Sequence, residues 1–524
     1  MNKHQKTIKT LEKNTWKDSL LLVLEGAVVG ILAGLIAVLY RYCLSFAEKG
    51  LYATLDMIKG NVGYILLWFV ALILMAFLVT IIVKWEGMSA GSGIPQVSGE
   101  IRGYLHPCWW RVIVAKIVGG TTCILGGLSL GREGPSIQLG AMIAKGFSKV
   151  RKHEKTKEIA MLSCGAGAGL AAAFNAPLAG IIFILEELHH NFNKTMLVAG
   201  LVATVTADYV SKMFFGQAAV FSYGSSTLPL KYYWLLIIFG ILLGLCGAGY
   251  NAVMVKTQGL FQRLTKVPKF VKILIPFLLA GGLGLVLPQV LAGGHSMVLL
   301  LEHARPTLIM LVILLVVKFL FSAISFGSGV PGGIFFPLLI LGSYVGAIFG
   351  DVAIGCFPIS EDLWYQFIIL GMAGLFAGIV RAPITGIVLI TEMTGNMERM
   401  LDIAVVSILA YVVANMVGSK PIYSSLLENI LRQQDIEETD EGEEQILVTY
   451  VVPFDSDICH KTICEIDWRH SSLVASIERE ERAITPRGNT TILPGDHLMV
   501  LIDRKYFAED NAYYEKMIDK ECSH

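Results

Sequence analysis

Leu130-Gly131-Arg132-Glu133-Gly134-Pro135 sets an arginine and a glutamate beside two glycines inside an otherwise apolar stretch. Further along, Ile184-Leu185-Glu186-Glu187 carries two more carboxylates in apolar surroundings. Ionisable groups are costly at membrane depth and mark functional sites by default. Two other segments share the glycine-broken character. Gly91-Ser92-Gly93-Ile94-Pro95 offers a hydroxyl between glycines, and Gly332-Gly333-Ile334-Phe335 offers unhindered main-chain amides. The Glu133 and Phe335 segments each run into a stretch that reads as a helix. A helix N-terminus has unpaired N–H groups and a partial positive charge. Such ends bind anions without a formal cation, weakly enough to release them along a path.

Glu133 adds a protonatable group to this chemistry. A carboxylate at a helix N-terminus can take the place of an anion, and protonation would free that place and let the side chain swing away. The same residue could equally serve as a simple N-terminal cap. Glu186 and Glu187 are neighbours, so on a helix they point about 100° apart. One is expected to face the interior and the other an aqueous vestibule, with a structural ion pair as the plainer alternative. Lys116 and Lys318 interrupt apolar runs and are expected to be ion-pair or capping partners. Asp208 and Glu392 are expected to be structural. Phe335 and Tyr423 could wall an anion path, although isolated aromatics in apolar sequence usually belong to the core.

The elements that must hold these residues are membrane helices. The 524-residue chain is 54% hydrophobic and 16% charged, against about 25% charged in soluble domains. Mean hydropathy is +0.62. Apolar runs recur from Leu20 to about Ser425, among them Leu20–Leu39, Tyr64–Val83, Leu235–Val253 and Leu308–Leu320. About 20 such residues span a bilayer. The expected fold is therefore an all-α polytopic membrane protein whose glycine and proline breaks line a protein-walled cavity. Residues 1–19 are polar and lysine-rich, so no cleavable signal core is expected there. Basic residues cluster at Lys3–Lys17, Lys149–Lys157 and Lys256–Lys272, which puts those segments on the cytoplasmic side. Net charge is zero, and nothing points to nucleic acid.

The chain repeats itself. Asn175-Ala-Pro-Leu-Ala-Gly-Ile-Ile-Phe-Ile-Leu-Glu186 matches Arg381-Ala-Pro-Ile-Thr-Gly-Ile-Val-Leu-Ile-Thr-Glu392, with glycines 386 − 180 = 206 apart. Pro135-Ser-Ile-Gln-Leu-Gly140 matches Pro337-Leu-Leu-Ile-Leu-Gly342, with prolines 337 − 135 = 202 apart. Paired broken segments in two halves are a pointer to a transporter site. The halves are assigned to about 20–215 and 230–432 within a membrane domain of 20–432.

Seven of the ten residues Asp435–Glu444 are acidic, so 433–445 reads as a solvated linker. Short β-rich runs follow at Ile446–Val452, Ser472–Ile477 and His497–Ile502, with a helical tail near Asn511–Ile518. Residues 446–524 are thus expected to form a small soluble α+β domain. The cysteines lack zinc spacing, and the local trio Cys459, His460 and Cys464 reads as packing rather than metal binding. No nucleophile–base pair, Walker loop or metal motif suggests an enzyme or a cofactor.

In order, Gly91–Pro95, Gly131–Pro135, Gly332–Pro337 and the late Tyr423 resemble the CLC family of chloride channels and proton/chloride exchangers, over about residues 20–432. The resemblance implies two inverted halves with broken helices, and a homodimer with one anion path per subunit. It implies that the hydroxyls of Ser92 and Tyr423 and the amides of Ile334 and Phe335 bind a central chloride. It makes Glu133 the external gating glutamate and Glu187 the internal proton-transfer glutamate of the exchangers. The reading that follows is proton/chloride antiport in a bacterial plasma membrane, with both termini cytoplasmic. A passive voltage- or pH-gated chloride channel is the alternative, and a ligand-sensing signalling protein is a further one. The segment Thr485–Asp496 with Leu498–Ile502 resembles a TrkA-C (RCK-C) domain, which implies a regulatory module open to a small-molecule ligand.

Overall fold

The computed structural model describes residues 3–189, 194–217, 220–221, 228–434, 436, 445–453, 456, 458–479, 482–503 and 506–518. The side chains of residues 1–19 and most of the acidic linker lie outside the described residues. The chain divides into two compact units, Met1–Ile430 and Leu431–His524.

The first unit is helical. It runs α1 (Lys3–Ile58), α2 (Val62–Trp85), α3 (Ile94–Ile101), α4 (Trp109–Leu125), α5 (Glu133–Arg151), α6 (Lys155–Phe174), α7 (Pro177–Phe183) and α8 (Lys194–Phe215). It continues with α9 (Tyr233–Arg263), α10 (Lys269–Val286), α11 (His295–His303), α12 (Leu308–Gly327), α13 (Phe335–Cys356), α14 (Trp364–Val380), α15 (Pro383–Thr394), α16 (Met400–Met416) and α17 (Ile422–Gln433). Among the described residues, eight helices are long and apolar enough to cross a bilayer. This is the polytopic membrane architecture expected from composition.

The repeat is visible as geometry. α6 ends at Asn175 and α14 at Arg381, both in the left-handed region. Each is followed by an alanine and a proline that opens the next helix, Pro177 in α7 and Pro383 in α15. Proline is favoured there because its missing N–H has no helical partner to lose. Upstream, α5 packs on α6 through Gly140 and Gly165, and α13 packs on α14 through Gly342 and Gly371. A Cβ on any of the four would strike the facing backbone. Such glycine contacts let membrane helices approach closely.

The second unit holds a four-stranded antiparallel sheet, β1 (Gln445–Val451), β2 (Leu473–Arg479), β3 (Arg482–Ile484) and β4 (His497–Asp503), in the order β1-β4-β2-β3. The last helix, α18 (Phe507–Ile518), sends Tyr514 and Ile518 into the core formed by Ile477, Leu498, Val500 and Ile502. Asp496 is fully buried and is held by both nitrogens of an Arg479 fork at 2.7 Å. Three strands and the helix match the sequence expectation. The three-residue β3 has no alternation long enough to announce itself.

Candidate functional site

Three glycine-broken segments meet. Gly91 N–H donates to Val330 O at 3.0 Å, and Gly332 N–H donates back to Gly91 O at 3.1 Å. Gly131 N–H donates to Gly333 O at 2.6 Å, and Gly333 N–H returns to Gly131 O at 2.9 Å. The loop before α13 is therefore laced to the loops before α3 and α5. Three helices begin around one spot: α3 at Ile94, α5 at Glu133 and α13 at Phe335. Gly93 can enter α3 because its φ of +100° lies in the left-handed region, where glycine has no Cβ penalty.

Two hydroxyls are buried in this unit without a protein partner. Ser92 is 1% exposed and Tyr423 is 2% exposed, and neither oxygen is hydrogen-bonded. Buried polar groups are nearly always paired, so unpaired donors of this kind suit an acceptor supplied from outside the chain. Ser92 lies against the start of α5, where a Cβ on Gly134 would come within 2.8 Å of Ser92 O. Ile334 is the N-cap of α13 and Phe335 its first residue, both buried. The Phe335 ring is wedged between Phe174 and Phe376, at 5.1 and 4.9 Å.

Glu133 is the first residue of α5 and is fully buried. Its carboxylate faces the main-chain amides of Glu133, Arg132 and Phe336 without completing a full hydrogen bond. Arg132 Nε stands 3.4 Å from it. Tyr423 lies within electrostatic reach of both Glu133 and Glu187. Glu187 is 8% exposed and sits in Ile184–Leu188, a widened π turn that ends the α7 segment. Single π turns recur at functional positions. Arg102, the C-cap of α3, is the cation within its reach.

Some expectations change. Glu187 is the buried one of the pair, and the half-buried Glu186 serves as a helix cap rather than in an ion pair. Its carboxylate accepts from Ile384 N–H at 3.1 Å, and from Thr385 N–H and the Thr385 hydroxyl at 2.7 Å. Lys116 and Lys318 have no carboxylate partner among the described residues. Lys116 Nζ donates to Ser89 O and Gly91 O, at 2.9 and 2.8 Å. Lys318 Nζ donates to Val290 O and Ala292 O, at 2.9 and 3.0 Å. They are 318 − 116 = 202 residues apart, the offset of Pro135 and Pro337, and each clasps the carbonyls of a loop. Asp208 pairs with Lys212 at 2.6 Å, and Glu392 caps α7, so both are structural.

Sequence reasoning passed over Tyr250 and Arg41. Tyr250 has a buried unpaired hydroxyl and lies within electrostatic reach of Tyr423. Arg41 stands on the wall of a cavity of about 350 Å³ that Glu133 also lines. Its only sequence signal is a lone cation in the apolar run of α1.

Residues 74–415 match the voltage gated chloride channel family, and residues 447–509 match the TrkA-C domain. The chain belongs to the voltage gated chloride channel (CLC) family. Among CLC relatives, it is 36% identical over 434 residues to the H(+)/Cl(-) exchange transporter ClcA of Klebsiella pneumoniae subsp. pneumoniae, covering 80% of this chain and 91% of that one. The ClcA of Citrobacter koseri is 34% identical over 449 residues, covering 82% and 93%. Among solved CLC structures, a slow cyanobacterial Cl-/H+ antiporter superimposes with a TM-score of 0.75 at 32% identity, covering 79% of this chain and 99% of that one. A eukaryotic CLC transporter, at 21% identity and a TM-score of 0.67, covers 84% and 81% and shares the fold.

Proposed function

We propose that this chain exchanges chloride for protons across a bacterial plasma membrane. Chloride passes a central site made by the hydroxyls of Ser92 and Tyr423 and the amides of Ile334 and Phe335. The observation that carries the reading is the pair of buried, unpartnered hydroxyls, Ser92 against the start of α5 and Tyr423 within electrostatic reach of Glu133. Glu133 alternates between proton binding and occupation of the anion's place at the α5 N-terminus. Glu187 passes protons on the opposite, cytoplasmic side. A carboxylate at that second position favours exchange over passive conduction, because a channel has no use for a buried proton carrier.

The protein works in lipid as a homodimer with one path per subunit. Both termini are cytoplasmic, in keeping with the lysine-rich 1–19 segment. The membrane domain spans 20–432, in halves of about 20–215 and 230–432. The 433–445 linker joins it to a regulatory domain, 446–524, that responds to a small-molecule ligand. The test is proton uptake into proteoliposomes driven by an outward chloride gradient. Uptake in the native protein and its loss in Glu187→Gln, with chloride flux retained, support the reading. Proton pumping by Glu187→Gln overturns it.

A further inference from the structure

The cavity on the Glu133 side is walled by two arginines and two glutamates, and one of the arginines has a buried nitrogen without an acceptor. It is lined by Arg41, Glu48, Arg132, Glu133, His295 and Phe336 among others. Arg132 stands 3.4 Å from the Glu133 carboxylate, so that pair is close to neutral. Arg41 forms no ion pair among the described residues. Its guanidinium carbon lies 3.9 Å above the centre of the Phe215 ring, and Tyr42 braces that ring at 4.9 Å. The fork is therefore held in one plane. One of its terminal nitrogens, Nη1, is buried and has no acceptor. Glu48, two turns further along α1, forms no ion pair with Arg41 among the described residues.

An arginine always carries its charge. Leaving a buried donor unpaired is costly, and an acceptor close by relieves the cost. We propose that Arg41, which lines this cavity with Arg132 and His295, forms a second anion site outside the Glu133 gate, where a monovalent anion waits before entering the central site. The inference rests on the proposed anion path and adds a residue to it. This antechamber raises the local anion concentration at the gate, so its effect appears in the chloride dependence of transport from that side.

The test uses the full-length protein. Crystals soaked in bromide are read for anomalous density at two places, beside Ser92 and Tyr423 and beside Arg41. Net current is read in planar bilayers with chloride varied on one side at a time, because anion and proton movement in opposite directions transfer charge the same way. The native protein is expected to show both peaks. Arg41→Gln is expected to lose the outer peak, keep the inner one, and raise half-saturating chloride on the Glu133 side roughly tenfold, leaving the opposite side unchanged. Arg41→Lys restores the charge and is expected to recover most of the native chloride dependence, which separates lost charge from a damaged fold. An inner peak without an outer one in the native protein, or unchanged chloride dependence in Arg41→Gln, overturns this inference alone. Absence of both peaks overturns the proposed anion path and this site with it.

Discussion

Glu186 and Glu392 cap each other's helices. Glu186, at the end of the first repeat segment, accepts hydrogen bonds from Ile384 and Thr385 at the start of α15. Glu392, at the end of the second, accepts from Leu178 and Ala179 at the start of α7, at 3.1 and 2.8 Å. Each carboxylate satisfies donors that a helix N-terminus leaves open, and each meets a favourable dipole. Reciprocity of this kind is what an approximate two-fold between two halves of one chain produces.

Glu186→Ala and Glu392→Ala should each cost about 0.5–2 kcal/mol of stability, the usual loss for a helix cap. Thermal unfolding in lipid nanodiscs checks this. Glu186→Ala should be the more damaging, since it strands the Thr385 hydroxyl as well as two amides. An unchanged midpoint for both would show that the caps are ornamental.

Lys116→Met should weaken chloride binding. The native side chain is fully buried and ties Ser89 and Gly91, immediately before Ser92. The apolar replacement leaves Ser89 O without its donor, at about 1–3 kcal/mol, and loosens the loop. Chloride affinity by calorimetry should fall about tenfold, which corresponds to about 1.4 kcal/mol. Lys318→Met should cost similar stability and leave central chloride affinity unchanged, because its loop is residues 290–292. Equal affinity loss in both would point to general destabilisation.

Gly134→Ala should disable the anion path more than the fold. The added methyl would press on Ser92, coming within 2.8 Å of its carbonyl oxygen. Alanine is otherwise the better helix residue by about 1 kcal/mol. The expected result is a chloride flux reduced at least about tenfold, a barrier increase near 1.4 kcal/mol, with folding retained by size-exclusion profile. Native flux would remove Ser92 from the path.

The soluble unit should have a pH-sensitive corner. Glu465 accepts from the Thr462 N–H at 2.6 Å and from its hydroxyl at 2.9 Å. The Thr462 backbone amide, then its hydroxyl, hold the carboxyl below the ordinary carboxylate range. A carboxyl lowered on folding contributes stability above its unfolded pKa, and that contribution is lost as pH falls through the lowered folded value. Thermal scans of the full chain should show this unit weakening at acid pH. The Glu465→Gln protein should lack this component of the slope, and an identical slope would contradict the assignment.

Much of this was legible beforehand because local chemistry carried it. Gly131–Pro135 and Gly332–Phe335 announced helix starts, and α5 and α13 begin there. Asn175 and Arg381 announced a repeat that the backbone reproduces. What escaped depended on partners far away in sequence. Nothing near Gly131 says that it will pair with Gly333. Lys116 looked like an ion-pair or capping partner, and of the two it is the carbonyls of a tight loop that it holds. Adjacent glutamates gave a helical angle that the π turn at Ile184–Leu188 alters. Arg41 gains meaning only when α1, Phe215 and the α5 N-terminus close around one cavity.

The central claim is obligatory exchange of chloride for protons, and the reversal potential of the purified protein tests it most directly. With chloride equal on both sides and a pH gradient imposed, the account predicts a reversal potential displaced from zero in the direction set by the proton gradient. A reversal potential that stays at the chloride equilibrium value, whatever the pH gradient, would contradict it.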